Sequence, residues 1–105
     1  MSNPWALVFL AGALEIVWAL GLKYSVGFTR FWPSAAVVVF ALASFVVLAE
    51  AARSLPLGTA YAVWVGIGAL GTAIAGMVLF AEPATMLRIG GILLIVAGIV
   101  LLKLA

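Results

Sequence analysis

Glu15 is the side chain best placed to do chemistry, because it is a carboxylic acid in the run Pro4 to Leu22, which holds no other charged residue. Positions three and four apart share a helix face, which sets Gly12 and Trp18 in line with Glu15 and Ala11 and Ala19 beside it. Small residues open space there and an aromatic ring walls it. Tyr61, Trp64 and Gly68 repeat the pattern further along, with a phenol and an indole that need hydrogen-bond partners in a dry interior. Ser44 is the remaining polar group at comparable depth. Glu15, Trp18, Ser44, Tyr61 and Trp64 could together line one polar pocket. Its acid would serve ions, protons or a cationic ligand.

Each of these residues also has a plainer reading. Trp18, Tyr61 and Trp64 fit packing or interfacial roles equally well. Ser44, taken alone, is better explained by a bond back to the carbonyl four residues earlier in its own helix. Gly66, Gly68, Gly71 and Gly76 suit either close helix packing or a bend. Gly90, Gly91, Ala97 and Gly98 put small residues on one side of the last apolar stretch, the signature of a helix–helix contact. Glu50 lies close to Arg53 and reads as an interfacial pair at a helix end. For Glu15 the plainer reading is a pair with a basic residue, but Lys23 stands two turns away near the interface.

The elements that must position these groups follow from composition. The chain has 105 residues, 69% of them hydrophobic and 8% charged, more apolar surface than a soluble domain of this size can hide. Four apolar stretches, residues 4–22, 33–52, 57–81 and 84–102, each approach the roughly 20 residues that a spanning helix needs. The expected fold is therefore an all-α integral membrane protein with one domain, residues 1–105, of four transmembrane helices. An acid in its core and three later spans argue against a removable signal peptide at the start. Keeping a charge at the bilayer centre costs about 2.5–3.5 kcal/mol on insertion scales, so Glu15 is expected to be used.

Punctuation places the spans. Ser2 or Asn3 can cap a first helix that Pro4 opens. Lys23 to Trp32 mixes Tyr24, Phe28, Phe31 and Trp32 with Lys23 and Arg30, as expected where a helix leaves hydrocarbon. Pro33 opens the second span. The break Arg53-Ser54-Leu55-Pro56 is so short that the second and third helices should be antiparallel neighbours, and Glu82-Pro83 marks the third break.

Charge says little about orientation. Arg53 and Lys103 fall on one side of the membrane and Lys23, Arg30 and Arg88 on the other, a difference of one that gives the positive-inside rule almost no purchase. Insertion both ways round fits this balance; a weakly fixed orientation with those three residues in the cytoplasm is the alternative. The net charge of +2 comes from scattered basic residues at helix ends that form no stripe for nucleic acid. With no cysteine and no histidine, disulfides, thiolate metal sites and the commonest proton shuttle are excluded. No cofactor or metal is expected, and a lone buried acid without nucleophile or nucleotide loop points away from an enzyme.

The segments Gly12-Ala-Leu-Glu15-Ile-Val-Trp18-Ala-Leu-Gly-Leu-Lys23-Tyr-Ser, Gly27-Phe-Thr-Arg30 and Leu55-Pro-Leu-Gly58-Thr-Ala-Tyr61-Ala-Val-Trp64-Val-Gly66-Ile-Gly68-Ala closely resemble the small multidrug resistance family over almost the whole chain. Trp18 after the glutamate and the run Gly66-Ile-Gly68-Ala-Leu-Gly71 are similar to the guanidinium exporter branch. The broad multidrug branch usually has small residues where Val17 and Trp18 stand. The resemblance implies an antiparallel, dual-topology homodimer in a bacterial-type cytoplasmic membrane, with lipid, protons and a guanidinium-type cation as partners. It further implies that two Glu15 side chains share one site, with Gly12 and Trp18 beside them. Ser44 and Trp64 would position the acids, Tyr61 would bridge or switch, and Gly90, Gly91, Ala97 and Gly98 would make the dimer contact. Val65, where a small hydroxyl residue is common, and Glu50 depart from the pattern.

A dry pocket favours the neutral acid and a bound cation favours the carboxylate, so proton and cation would compete for Glu15. The expected activity is thus proton-coupled export of guanidinium and small guanidinyl compounds. The alternatives are a broad exporter of quaternary ammonium and lipophilic cations, and a non-transporting subunit or half of a heteromeric pair.

Overall fold

The computed structural model describes residues 3–105, so the capping role considered for Ser2 lies outside the described residues. The chain forms four helices in the order α1 (Pro4–Ser25), α2 (Phe31–Ala52), α3 (Leu57–Leu79) and α4 (Met86–Leu104). All four are long and apolar enough to cross a bilayer.

Local chemistry explains where each helix starts and stops. Asn3 caps α1, its side chain accepting from the Trp5 N–H at 2.9 Å, and Pro4 occupies the first turn, where no amide partner is needed. The helix continues past the expected end at Leu22, then stops because Val26, Gly27 and Phe28 all take left-handed backbone (φ 49°, 68° and 65°). Ser25, only 1% exposed, ties this turn together. Its Oγ donates to Leu22 O at 2.8 Å and accepts from the Phe28 N–H at 3.1 Å, while the amides of Thr29 and Arg30 return to its carbonyl.

α2 begins at Phe31, before Pro33, because a proline in the first turn removes an amide that has no helical partner anyway. α3 ends at Leu79, short of Ala81, where Ala81 turns left-handed at φ 54°. α4 starts two residues later than expected, at Met86, because the Thr85 hydroxyl caps it by accepting from the Arg88 N–H at 3.2 Å.

α1 is the centre of the bundle and packs along both α2 and α3, whereas α4 packs along α3 and reaches α1 through Lys103. The expectation that α2 and α3 are neighbours holds, through Ser44 and Phe45 against Trp64, but each packs more on α1 than on the other. They meet only sparingly, because α1 takes most of the space between them and the short connection merely turns the chain. The core joins Val8 and Ala11 of α1, Ala51 of α2, and Ala60, Val63 and Trp64 of α3. Most of these are small, which lets backbones approach as membrane helices require. Lys103 lies over the Trp5 ring at 4.6 Å and Lys23 over the Phe80 ring at 5.8 Å, so both described chain ends share one end of the bundle. Glu50 and Arg53 form the expected exposed pair, 3.3 Å apart.

Ser25→Ala removes the part-buried acceptor that satisfies the Phe28 amide, and is expected to cost about 1 kcal/mol. A lower midpoint in thermal unfolding of the purified protein in detergent would report it.

Candidate functional site

Glu15 lies where α1 crosses the glycine face of α3. Its Oε1 is buried and has no hydrogen-bond partner among the described residues. Gly68 makes the seat: a Cβ there would overlap the carboxylate. One turn earlier on α1, Gly12 receives the side chain of Ile67, and Ile16 packs onto Gly71. The two helices are thus close enough that the acid occupies space a side chain would otherwise fill.

The neighbouring polar groups are wired through Ser44, which has no exposed surface. Its hydroxyl donates to Ala11 O on α1 at 2.8 Å and accepts from the Trp64 indole N–H on α3 at 2.9 Å. The back-bond within α2 that best explained Ser44 from sequence is therefore not the one made. Ala11 has too small a side chain to shield its own carbonyl, and the buried Trp64 N–H needs an acceptor, so the hydroxyl serves two other helices at once. In the α-helical pattern Ala11 O also receives the amide of Glu15, so the network ends on the turn that carries the acid.

An aromatic chain runs beside this network. Trp18 meets Phe45 of α2 edge-on, with ring centroids 6.5 Å apart, Phe45 meets Trp64 at 5.8 Å, and Trp64 meets Tyr61 at 5.4 Å. The Trp18 indole N–H is buried and unpartnered, like Glu15 Oε1. The unpaired Glu15 acceptor, with the Trp18 ring one turn away on α1, makes a site able to take a small polar cation or a proton.

The structure brings Gly12, Glu15, Trp18, Ser44 and Trp64 to one junction of α1, α2 and α3. Tyr61 stands at its margin. It is 54% exposed and lines an apolar groove of about 430 Å³ between α3 and α4, together with Val65, Gly98 and Ile99. Gly90, Gly91 and Ala97 lie away from the junction on α4, which has no buried residue; a Cβ at Gly90, Gly91 or Gly98 would meet nothing within 4 Å. Nothing among the described residues packs directly on these glycines, although Gly91 and Gly98 border cavities against α3.

Sequence reasoning missed Phe45 and Thr72. Phe45 is one ring in a long apolar run whose periodicity singles out no face. Thr72 was detectable, because it lies one turn beyond Gly68 on the same face of α3, and its Oγ1 is also buried without a partner.

A family model described as Small Multidrug Resistance protein matches residues 3–95. The guanidinium exporters of Yersinia pseudotuberculosis serotype I and Yersinia pestis are each 56% identical to this chain over 101 residues, covering 96% of it and 97% of the relative. The guanidinium exporter of Escherichia coli K12 is 52% identical over 101 residues, 96% of each chain.

Ser44→Ala leaves the Trp64 N–H without an acceptor in a buried site and is expected to cost about 1–3 kcal/mol. The loss should appear as a lower unfolding midpoint in detergent, accompanied by altered tryptophan fluorescence; an unchanged midpoint would contradict the network.

Proposed function

Because the chain belongs to the small multidrug resistance family, we propose that this multi-pass membrane protein exports guanidinium-type cations in exchange for protons. Glu15 is the group for which they compete. The observation that carries this reading is the Glu15 Oε1, buried on Gly68 and without a partner among the described residues. An ionised acid without a partner is costly in such surroundings, so the group is stable either protonated or paired with an arriving cation.

Guanidinium suits this arrangement. Its planar fork of donors matches a carboxylate bidentately, and its flat face stacks on aromatic rings such as Trp18 and Trp64. Ser44 acts by holding Trp64 and the Ala11 turn, and therefore Glu15, in place. Tyr61, at the margin against α4, bridges or switches between states. Names of relatives at 52–56% identity support the substrate class.

One chain supplies one acid and leaves the small-residue face of α4 uncovered. We assign that face, with Gly90, Gly91, Ala97 and Gly98, to contact with a second copy in an antiparallel homodimer of the cytoplasmic membrane, inserted both ways round as the balanced basic residues allow. Two opposed copies reproduce the inverted-repeat geometry of larger transporters, with the site near the midplane. If the dimer switches only when both acids are neutralised, by protons or by cation, inward proton flow drives cation efflux.

Solid-supported membrane electrophysiology on proteoliposomes tests this. Guanidinium should evoke currents that depend on the proton gradient, and Glu15→Gln should reduce them to background. Equal or larger currents with tetraphenylphosphonium would favour a broad lipophilic-cation exporter. Coupled transport retained in Glu15→Gln would overturn the proposal.

A further inference from the structure

Glu15 and Glu82 are seated alike. Gly68, Thr72 and Gly76 are spaced by four along α3, as are Glu15, Ala19 and Lys23 along α1, so each set shares one face. The helices run in the same direction, with Lys23 reaching the ring of Phe80 just past the end of α3. As at Gly68 with Glu15, a Cβ at Gly76 would overlap the Glu82 carboxylate. Glu82 gets there because Ala81 turns left-handed and the Glu82 amide returns to Gly76 O at 3.3 Å. Between the two acids stands Thr72, whose buried Oγ1 has no partner.

A cavity of about 590 Å³ opens at this end of the α1–α3 contact, its lining including Lys23, Thr72, Gly76, Phe80 and Glu82. Arg88 lines the neighbouring cavity, which Glu82 also reaches. Glu82 pairs with neither basic residue, and the ion pair found among the described residues is Glu50 with Arg53. The Lys23 ammonium lies instead 5.8 Å from the centre of the Phe80 ring. A free carboxylate, an aromatic face that already attracts a cation, and an unused hydroxyl are the groups that recognise a planar, donor-rich cation.

We propose that Glu82, Phe80 and Thr72 form an outer binding site for a guanidinium-type cation, with Lys23 as the resident cation that the ligand displaces. The inference rests on the transport reading above. Thr72 stands one helical turn, about 5.4 Å, from the level of Gly68, so a cation leaving the outer site for Glu15 passes a hydroxyl on the way. Glu82 concentrates cations at the mouth, while Lys23, competing for the Phe80 face, keeps them from being held there. By sequence this acid marks a chain break, and the fold-back onto Gly76 makes it part of a site.

Guanidinium concentration series on proteoliposomes test the site, because its parts act with opposite signs. Glu82→Gln should raise the half-saturating concentration about two- to fivefold, as removal of an exposed charge partner does, with the effect on half-saturation rather than on maximal current. Lys23→Met should lower it by a similar factor. Gly76→Ala, which displaces Glu82 and keeps its charge, should follow Glu82→Gln. Lys23 is exposed, so its variant still decides the matter if Glu82→Gln does not assemble. Wild-type currents with unshifted variants, or Glu82→Gln and Lys23→Met moving together, overturn the outer site alone. A wild-type protein that carries no guanidinium overturns the transport reading and the outer site with it.

Discussion

The close approach of α1 to α3 governs everything else in this molecule. It is possible because α3 presents Gly68 and Gly71 where α1 presents Glu15 and Ile16, and α1 presents Gly12 where α3 presents Ile67. In a bilayer, apolar surfaces gain little by leaving lipid, so helix association depends on packing and hydrogen bonds. Interlocking of glycines on each helix with larger side chains from the other supplies the packing. It also brings Glu15 Oε1 into the crevice between the helices, and the same geometry that binds the helices together thereby creates the reactive group's environment.

Such a crevice would be useless if the acid could wander, and the Ser44 network limits that. One hydroxyl fixes the indole of α3 and the main chain of α1 from its place on α2. All three core helices therefore converge one turn from Glu15. The cost of leaving a buried N–H unpaired exceeds the gain from making one more bond, so the network is held by the penalty for breaking it. Phe45 reinforces the arrangement by contacting both tryptophans.

Much of this was legible in the sequence, for physical reasons that can be named. Four spans follow from hydrophobic length, and Glu15 from the cost of burying charge. The alignment of Gly12 and Trp18 with Glu15 follows from helical periodicity. What was not legible depends on tertiary geometry. Ser44 has a local bonding option that competes with any distant one, and only the position of α1 decides between them. The spacing of α2 and α3 by α1 cannot be read from a short connection. Helix ends moved for local reasons: Pro33 is tolerated in the first turn of α2, and the Thr85 cap starts α4 late. Thr72 hid among apolar neighbours, although its register with Gly68 was visible, and Glu82 passed for punctuation until its fold-back onto Gly76 was seen.

The distribution of burial divides the chain into a finished part and an unfinished one. α1, α2 and α3 each bury residues against one another, and their buried polar groups are either bonded, as at Ser25 and Ser44, or gathered on the α1–α3 face. α4 buries none, yet its Ile95 and Ile99 pack on Gly66 and so fix its rotation. That rotation leaves Gly90, Gly91 and Gly98 with open space above them. Small residues in a spanning helix gain nothing from lipid and gain most from another backbone. The proposed second copy thus answers two separate needs, a cover for the α4 glycines and a second acid for coupled exchange. Because α4 is carried mainly by α3, the helix bearing Trp64 and Gly68 is also the one through which a change at the contact between copies would reach Glu15.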